Sequence, residues 1–211
     1  TTQLFANPAV DVPCVSISQL PTNLDESDGE HNDVYFAYTF YIRNEGESTV
    51  DYLWNLNITQ ETMNVADAVW AMVFEDGNMR FYAKAAASGQ AEALPAQGDN
   101  TRGYAGLPLQ ELAPQSDQFE VIKQVGAITY WRVIPDKFEG DQRITGGGQS
   151  GVDPMEVHKY TVVLWLEGDD PQATDDVIGA HMGVEMNFRL INEPEKDKSG
   201  WKAIFPGWDW L

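Results

Sequence analysis

The chain has 211 residues, of which 43% are hydrophobic and 11% aromatic, so it is long enough to bury the core of one large domain. Its 13 basic and 33 acidic residues give a formal net charge of −20, which argues against nucleic acid and anionic membranes as partners. The single cysteine, Cys14, excludes a disulfide within the chain and a thiolate metal cluster, and no apolar run reaches the roughly 18 residues of a transmembrane helix.

The first twelve residues predict an extended arm that lies outside the core. Pro8 and Pro13 interrupt this part of the chain, and proline lacks the N–H group that a central strand needs. The remainder, residues 13–211, predicts a single domain, because no stretch has the composition of a linker. The start of the chain lacks the basic and apolar regions of a signal peptide, so a secreted form is expected to be a mature chain.

Alternation of apolar residues with other residues is the main signal along the chain, and it predicts half-buried strands. It runs through residues 34–42, ends at the turn RNEGES, and resumes over residues 52–58. Two apolar runs then flank Asp76-Gly77-Asn78, which predicts a β-hairpin. Further strands are predicted at residues 10–20, 119–123, 127–134, 158–167 and 180–191.

The last of these strands is expected to place apolar side chains inward and polar ones in water. The inward residues would be Met182, Val184, Met186, Phe188 and Leu190, and the outward ones Glu185, Asn187 and Arg189. Two long insertions are expected: residues 85–118, with a short helix near AAASGQAEAL, and residues 135–154, with the flexible loop ITGGGQSG. Eight or nine strands without βαβ alternation predict an all-β fold, namely a two-sheet antiparallel sandwich of the jelly-roll type.

Three tryptophans lie close together near the C-terminus, beyond the last predicted strand: Trp201, Trp208 and Trp210. Large indole side chains need a surface to pack on. They would either cap their own sandwich or contact a neighbouring subunit, since aromatic residues are enriched at interfaces.

No nucleophile or zinc motif is found in the sequence. The segment GGGQSGV fails the pattern G-x-S-x-G, because Val152 stands where the last glycine is required. His31, His158 and His181 lack the spacing of a zinc-binding helix, and the last two are expected to be cross-strand partners. The sequence therefore does not predict an enzyme.

The segment LWLEGDDPQATDDVIG, residues 164–179, carries five acids directly after a predicted strand. Their oxygens are hard ligands that would suit calcium: Glu167, Asp169, Asp170, Asp175 and Asp176. The alternative is a solvated turn in which an aspartate caps a short helical turn through its side-chain oxygen. A catalytic carboxylate pair is a third alternative, and it would also need a sugar-binding cleft.

The segments VYFAYTFYIRNEGESTVDYLWNLNI, YTVVLWLEGDDPQATDDVIG and MGVEMNFRLI carry a resemblance that covers about half of the chain. They are similar to the TasA and camelysin group of secreted proteins of Gram-positive bacteria. The shared features are an early Y-T-F-Y-I-R-N-x-G strand and turn, a late strand that ends in W-x-E-G-D-D-P, and a further strand of the M-x-F type.

This resemblance implies a secreted subunit of extracellular biofilm fibres, in which an arm of one copy completes a sheet of the next. Residues 1–12 would be the donor arm, and its pocket-filling side chains would be Leu4, Phe5, Val10 and Val12. The alternatives for this segment are a first strand of its own domain or disorder. The implied partners are other copies of the chain, together with other matrix proteins or glycans.

Two other functions stay open from the sequence. A monomeric adhesin or carbohydrate-binding sandwich would stack exposed tryptophans such as Trp208 and Trp210 on its ligand. A metallopeptidase is implied by the camelysin members, but the zinc motif that this activity needs is not recognisable here. No cofactor is required by the structural interpretation, and calcium is the one candidate ion.

Overall fold

The computed structural model describes residues 2–3, 15–21, 23–26, 35–94, 103–105, 117–191 and 201–204, and most of these residues lie in strands. The helical pieces within these ranges are four single 3-10 turns: Ile17–Gln19, Leu24–Glu26, Val65–Asp67 and Asp175–Val177. No helix in the described part is long and apolar enough to cross a membrane. The predicted all-β class is confirmed.

Thirteen strands lie in the described residues: β1 (Thr2–Gln3), β2 (Tyr35–Asn44), β3 (Val50–Glu61), β4 (Val69–Glu75), β5 (Asn78–Ala83), β6 (Tyr104–Ala105), β7 (Phe119–Val125), β8 (Ile128–Val133), β9 (Asp136–Lys137), β10 (Arg143–Val152), β11 (Val157–Leu166), β12 (Met182–Leu190) and β13 (Trp201–Ile204). They form a four-stranded sheet in the order β1-β12-β3-β10, a six-stranded sheet in the order β13-β2-β11-β4-β5-β9, and a three-stranded sheet in the order β6-β8-β7. Neighbouring strands are antiparallel, except for the short parallel pair β5 and β9.

The four-stranded and six-stranded sheets pack face to face around the larger core, as a sandwich requires. The main contributions are Tyr52, Trp54, Leu56 and Ile58 from β3 and Tyr160, Val162, Leu164 and Leu166 from β11. The alternation expected in β12 is confirmed, because its apolar side chains are buried or half-buried and its polar ones are exposed. One face of the four-stranded sheet therefore meets the core and the other meets water.

The six-stranded sheet is covered on its second face as well, which adds a third layer to the predicted sandwich. Trp70 and Phe74 of β4 and Trp165 of β11 form a second core with Ile17 and with side chains of the three-stranded sheet. Because β4 and the second half of β11 are buried on both faces, β4 and residues 162–166 of β11 are apolar without alternation.

The hairpin predicted at Asp76-Gly77-Asn78 is confirmed, since β4 and β5 pair from end to end. Asp76 has φ of 50° and Gly77 has φ of 82°. Both residues are thus left-handed, as a two-residue hairpin turn of type I′ requires.

The prediction of a flexible insertion at residues 135–154 is wrong, because this range contains β9 and the ten-residue strand β10. Gly147 and Gly148 of β10 pair with β3. A Cβ atom on Gly147 would lie 2.9 Å from the Trp54 ring, and one on Gly148 would lie 2.7 Å from the carbonyl oxygen of Tyr52. These glycines therefore allow close packing on β3 rather than loop motion.

Two smaller expectations are also corrected. Residues 85–94 contain turns and no helix, and Leu94 exchanges backbone hydrogen bonds with Val133 of β8. The described part of the strand expected at residues 10–20 contains the 3-10 turn Ile17–Gln19 instead. Ser16 caps this turn reciprocally with Gln19, and such side-chain bonds to the backbone compete with strand pairing.

Candidate functional site

The acidic turn, defined here as Glu167–Asp170, begins where β11 ends. Glu167 is fully buried, and its Oε2 accepts hydrogen bonds from the indole Nε1 of Trp165 at 2.9 Å and from the backbone N–H of Ile17 at 2.8 Å. Its Oε1 accepts a further bond from the N–H of Asp169 at 3.2 Å. This carboxylate thus joins the end of β11 to the N-terminal segment.

The other two acids of the turn bind side chains from different layers. Asp170 is buried, and its Oδ2 accepts a bond from the indole Nε1 of Trp70 at 3.0 Å. Asp169 Oδ2 lies 3.1 Å from the hydroxyl groups of both Ser16 and Tyr104, each of which donates to it. The acidic turn therefore connects β4, β6, β11 and the N-terminal segment through hydrogen bonds.

Burial changes the acidity of these groups. It raises the pKa of Glu167 to about 7, although three hydrogen bonds to its carboxylate oppose the change. Burial also raises the pKa of Asp170. Glu92 is 8% exposed, and burial together with the charge of Asp170 raises its pKa to about 7. The folded protein consequently holds protons at near-neutral pH that exposed carboxyl groups would have lost.

The five acids predicted as calcium ligands fall into two sets. Three belong to the acidic turn and are engaged as described, whereas Asp175 and Asp176 are exposed on the 3-10 turn Asp175–Val177. In the described ranges no group of three or more His, Cys, Asp or Glu residues is placed to hold a metal ion. Asp170 Oδ1 also accepts a bond from the N–H of Gln172 at 2.9 Å, whereas the helical turn of this segment, Asp175–Val177, has no side-chain cap, so the predicted aspartate cap of a helical turn is not found. Calcium binding stays a prediction.

A second polar network lies inside the sandwich at the end of β4. Glu75 Oε1 accepts hydrogen bonds from Trp54 Nε1 at 3.0 Å, Gln149 Nε2 at 3.1 Å and the Tyr160 hydroxyl at 2.6 Å. The Tyr160 and Tyr52 hydroxyl groups lie 2.7 Å apart. Burial raises the pKa of both tyrosines above the ordinary value, so both remain protonated hydrogen-bond donors.

His158 is a cross-strand partner, as predicted. Its Nδ1 lies 2.6 Å from Asp76 Oδ2, and Asp76 Oδ1 accepts a bond from the N–H of Lys159 at 2.7 Å. An aspartate and a histidine so arranged also form part of a catalytic triad. Within the described residues, however, Nε2 is buried without a hydrogen-bond partner, and Glu156 Oε1 lies 3.8 Å from it. The pair therefore fastens β11 to the hairpin turn.

Comparison with known proteins does not identify a family for this chain. No family model, curated protein or solved structure matches the chain. The resemblance to the TasA and camelysin group therefore stays a prediction that rests on sequence motifs.

The residues predicted for assembly lie mainly outside the described ranges. These are Leu4, Phe5, Val10 and Val12 of the arm, and Trp208 and Trp210 of the tail. The backbone of Trp201 lies in β13 opposite Asn44 of β2. At the other end of the chain, the backbone of Thr2 lies opposite Val184 and that of Gln3 opposite Gly183, so the start of the arm pairs with β12 of its own chain.

Sequence reasoning missed Glu75, Trp70, Tyr104 and Glu92. The sequence did contain a signal for Glu75. It ends the apolar run VWAMVFE, and a glutamate next to a core is rarely buried unless its carboxylate has hydrogen-bond partners. Hydrogen-bond partners that come from distant strands, such as Trp70 for Asp170, cannot be recognised from the spacing of residues in the sequence.

Proposed function

We propose that the chain is a structural subunit of an extracellular bacterial filament, in which copies join head to tail by strand addition. The observation that supports this proposal is the pairing of β1 with β12 at the edge of the four-stranded sheet. It places the start of the predicted arm on a sheet edge, in the mode of contact that a donor strand uses.

Most of this edge is left without a neighbouring strand in the described residues. β1 covers Val184 and Gly183, and on the same flank no described strand pairs with residues 185–190. Six residues of strand are about 20 Å long, and an extended arm of twelve residues reaches about 40 Å. The pairing is antiparallel, with Thr2 opposite Val184 and Gln3 opposite Gly183, so an arm from another copy would need a different register to pair along residues 185–190.

Other edges of the two large sheets are partly occupied. Along β10, the N–H of Gly146 donates to Glu139 Oε1, and the N–H of Glu139 donates to the carbonyl oxygen of Ile144. Along β5, the side-chain amide of Gln118 both accepts from the N–H of Phe81 and donates to its carbonyl oxygen, each at 2.8 Å. Such contacts protect a sheet edge from pairing with another chain, so these parts of β10 and β5 are less accessible to an added strand than β12.

Exchange of the arm between copies would keep its contacts and change only the chain that supplies them. Contacts of this head-to-tail kind do not close on themselves, so they propagate into a filament. Four apolar arm side chains at roughly 1.5–3 kcal/mol each would stabilise the junction, less the cost of ordering the arm.

The test is disulfide trapping between the arm and β12 in a Cys14→Ser background. Paired residues of an antiparallel ladder have Cα atoms about 4.5–5.5 Å apart, which is within the range for a disulfide. Chains with Thr2→Cys alone and Val184→Cys alone are mixed, oxidised and separated without reductant. A covalent dimer of the two chains is expected if the arm crosses between copies, and electron microscopy should show filaments that are lost when residues 1–12 are deleted.

The matched control replaces the acceptor with Met155→Cys, an exposed position in the turn before β11. Equal yields of dimer with both acceptors would indicate random collision. If the double variant with Thr2→Cys and Val184→Cys forms only an internally linked monomer, and no filaments are seen, the arm belongs to its own chain and the filament proposal is wrong.

A further inference from the structure

One imidazole nitrogen of His158 has no hydrogen-bond partner among the described residues. The residue is 9% exposed, and its Nδ1 lies 2.6 Å from Asp76 Oδ2, whereas its Nε2 is buried and makes no hydrogen bond. Because the ionised carboxylate of Asp76 can only accept a hydrogen bond, Nδ1 carries the proton and Nε2 presents a lone pair. A buried lone pair is unfavourable unless a donor or a metal ion meets it.

The carboxylate of Glu156 faces this lone pair. Its Oε1 lies 3.8 Å from His158 Nε2, which is too far for a hydrogen bond. Its other oxygen, Oε2, accepts a bond from the backbone N–H of Asp153 at 2.7 Å, and this bond holds the carboxylate in place. Two electron-pair donors therefore face each other across a short gap.

A metal ion bonded to both atoms would fit this gap. Zinc bonds of about 2.0–2.1 Å to a histidine nitrogen and about 2.0–2.2 Å to a carboxylate oxygen place two tetrahedral ligand atoms about 3.4 Å apart. The separation of 3.8 Å between Nε2 and Oε1 is only slightly longer. Because the Glu156 side chain is 44% exposed, a small rotation of its carboxylate can close the difference.

The groups behind the two ligands are arranged as in protein metal sites. A metal-bound histidine ordinarily donates its other ring N–H to a carboxylate, which fixes the tautomer and makes the ligand more basic. Asp76 has this position, and its Oδ1 accepts a bond from the N–H of Lys159 at 2.7 Å. Both ligand side chains are thus held in place by bonds that leave Nε2 and Oε1 available.

Carboxylates dominate the charge at this end of the sandwich. Burial raises the pKa of Tyr52, and three carboxylate charges add to the effect. These carboxylates belong to Glu75, Asp76 and Glu156. The Tyr52 ring lies 6.0 Å from the ring of His158, so the same negative charges favour a cation beside the imidazole.

We propose that His158 and Glu156 bind a divalent transition-metal ion such as Zn²⁺, with water as the remaining ligands. An imidazole nitrogen combined with one carboxylate oxygen suits such ions better than Ca²⁺ or Mg²⁺, which prefer oxygen ligands. Two protein ligands are consistent with the finding that the described ranges hold no group of three or more. The ion would join the turn before β11 to the β4–β5 hairpin, and this role does not depend on the proposed filament.

The test titrates the untagged full chain with ZnCl₂ by isothermal titration calorimetry at pH 7.5 and repeats the titration on variants. His158→Gln removes the nitrogen ligand. Asp76→Asn keeps an acceptor for the N–H of Lys159, so its amide N–H faces His158 Nδ1 and moves the imidazole proton to Nε2. Asparagine also suits the left-handed turn position of residue 76, so this variant should fold.

The matched control is His181→Gln, which removes a histidine that lies beside Thr62 and outside this site. We expect one saturable Zn²⁺ site in the full chain and in the control. His158→Gln should lose it, and Asp76→Asn should bind about 10–100-fold more weakly. Circular dichroism checks that each variant is folded.

Equal Zn²⁺ binding by all four chains would place the ion on acids elsewhere and overturn the inference, as would the lack of saturable binding to the full chain. Displacement of Zn²⁺ by an equal concentration of Ca²⁺ would also overturn it, because the site would then consist of oxygen ligands alone. If His158→Gln does not fold, ¹⁵N NMR of the unchanged chain decides the matter. The Nε2 resonance of His158 should shift when ZnCl₂ is added, and an unchanged resonance would show that the imidazole is not a ligand.

Discussion

At the scale of single residues, hydrogen bonds from buried indoles to carboxylates occur at three places in the described part of the chain. Trp70, Trp165 and Trp54 each donate to an acid, namely Asp170, Glu167 and Glu75. A buried N–H group needs an acceptor, because an unpaired one costs about 1–3 kcal/mol. The acids thus allow three large rings to fill the core without leaving a polar atom unsatisfied.

Replacement of Asp170 tests this role. In Asp170→Ala the indole N–H of Trp70, which is fully buried, would lose its acceptor, and the backbone N–H of Gln172 would lose one too. We expect the free energy of unfolding to fall by about 2–4 kcal/mol, as measured by urea denaturation followed by tryptophan fluorescence.

The matched control is Asp175→Ala, which removes an exposed carboxylate from the same stretch of chain. Its effect should stay within about 0.5 kcal/mol. Equal losses in the two variants would show that the stretch contributes through its overall charge and not through the bond to Trp70.

At the scale of elements, strand β10 depends on glycine for its fit against β3. The indole of Trp54 lies where a side chain of residue 147 would be. Gly147→Ala is therefore expected to lower the free energy of unfolding by about 1–3 kcal/mol, because the ring or the strand must move. The melting temperature measured by circular dichroism reports this change.

Gly140→Ala is the control for this substitution, since a Cβ atom there would meet nothing within 4 Å and the residue does not have positive φ. Its melting temperature should be close to that of the unchanged chain. A stable Gly147→Ala variant would mean that β10 can move away from Trp54 at little cost.

Strands that alternate were predictable, whereas glycine-rich and fully buried strands were not. β12 has polar residues at every second position because one face meets water, and the sequence pattern follows directly. In β10 the Trp54 ring lies where the side chain of residue 147 would be, so the position is glycine. The resulting glycine-rich sequence is typical of a loop although it forms a strand. The third layer escaped prediction because an apolar run such as β4 does not indicate what covers each face.

The candidate site was predictable only in its position. The turn after β11 was expected to hold an aspartate that caps a short helical turn, but Asp170 instead accepts a bond from the N–H of Gln172, and the helical turn Asp175–Val177 has no side-chain cap. The partners of the same acids, Trp70 and Tyr104, come from residues that are distant in the chain. Sequence spacing carries no information about such contacts unless the topology is already known.

At the scale of the whole molecule, buried carboxyl groups make stability depend on pH. The pKa values of Glu92 and Glu167 are raised to about 7 in the folded state, whereas in an unfolded chain they would lie near 4.5. Between these values the folded state binds more protons than the unfolded state. The free energy of unfolding therefore falls as pH rises from about 4.5 to 7, and the loss is complete above that range.

Glu92 allows this dependence to be assigned, because the structure describes no hydrogen bond that a glutamine at this position would break. In Glu92→Gln the free energy of unfolding should be about 3 kcal/mol higher than in the unchanged chain at pH 8, and this difference should shrink to about 1 kcal/mol at pH 5. Urea denaturation at four pH values between 5 and 8 gives the comparison, and Asp175→Asn, which alters an exposed acid, should leave the pH profile unchanged. A Glu92→Gln profile parallel to that of the unchanged chain would show that the carboxyl group of Glu92 keeps its ordinary acidity in the folded protein. The decline in stability would then have to come from Glu167 or from the repulsion among the 33 acidic residues.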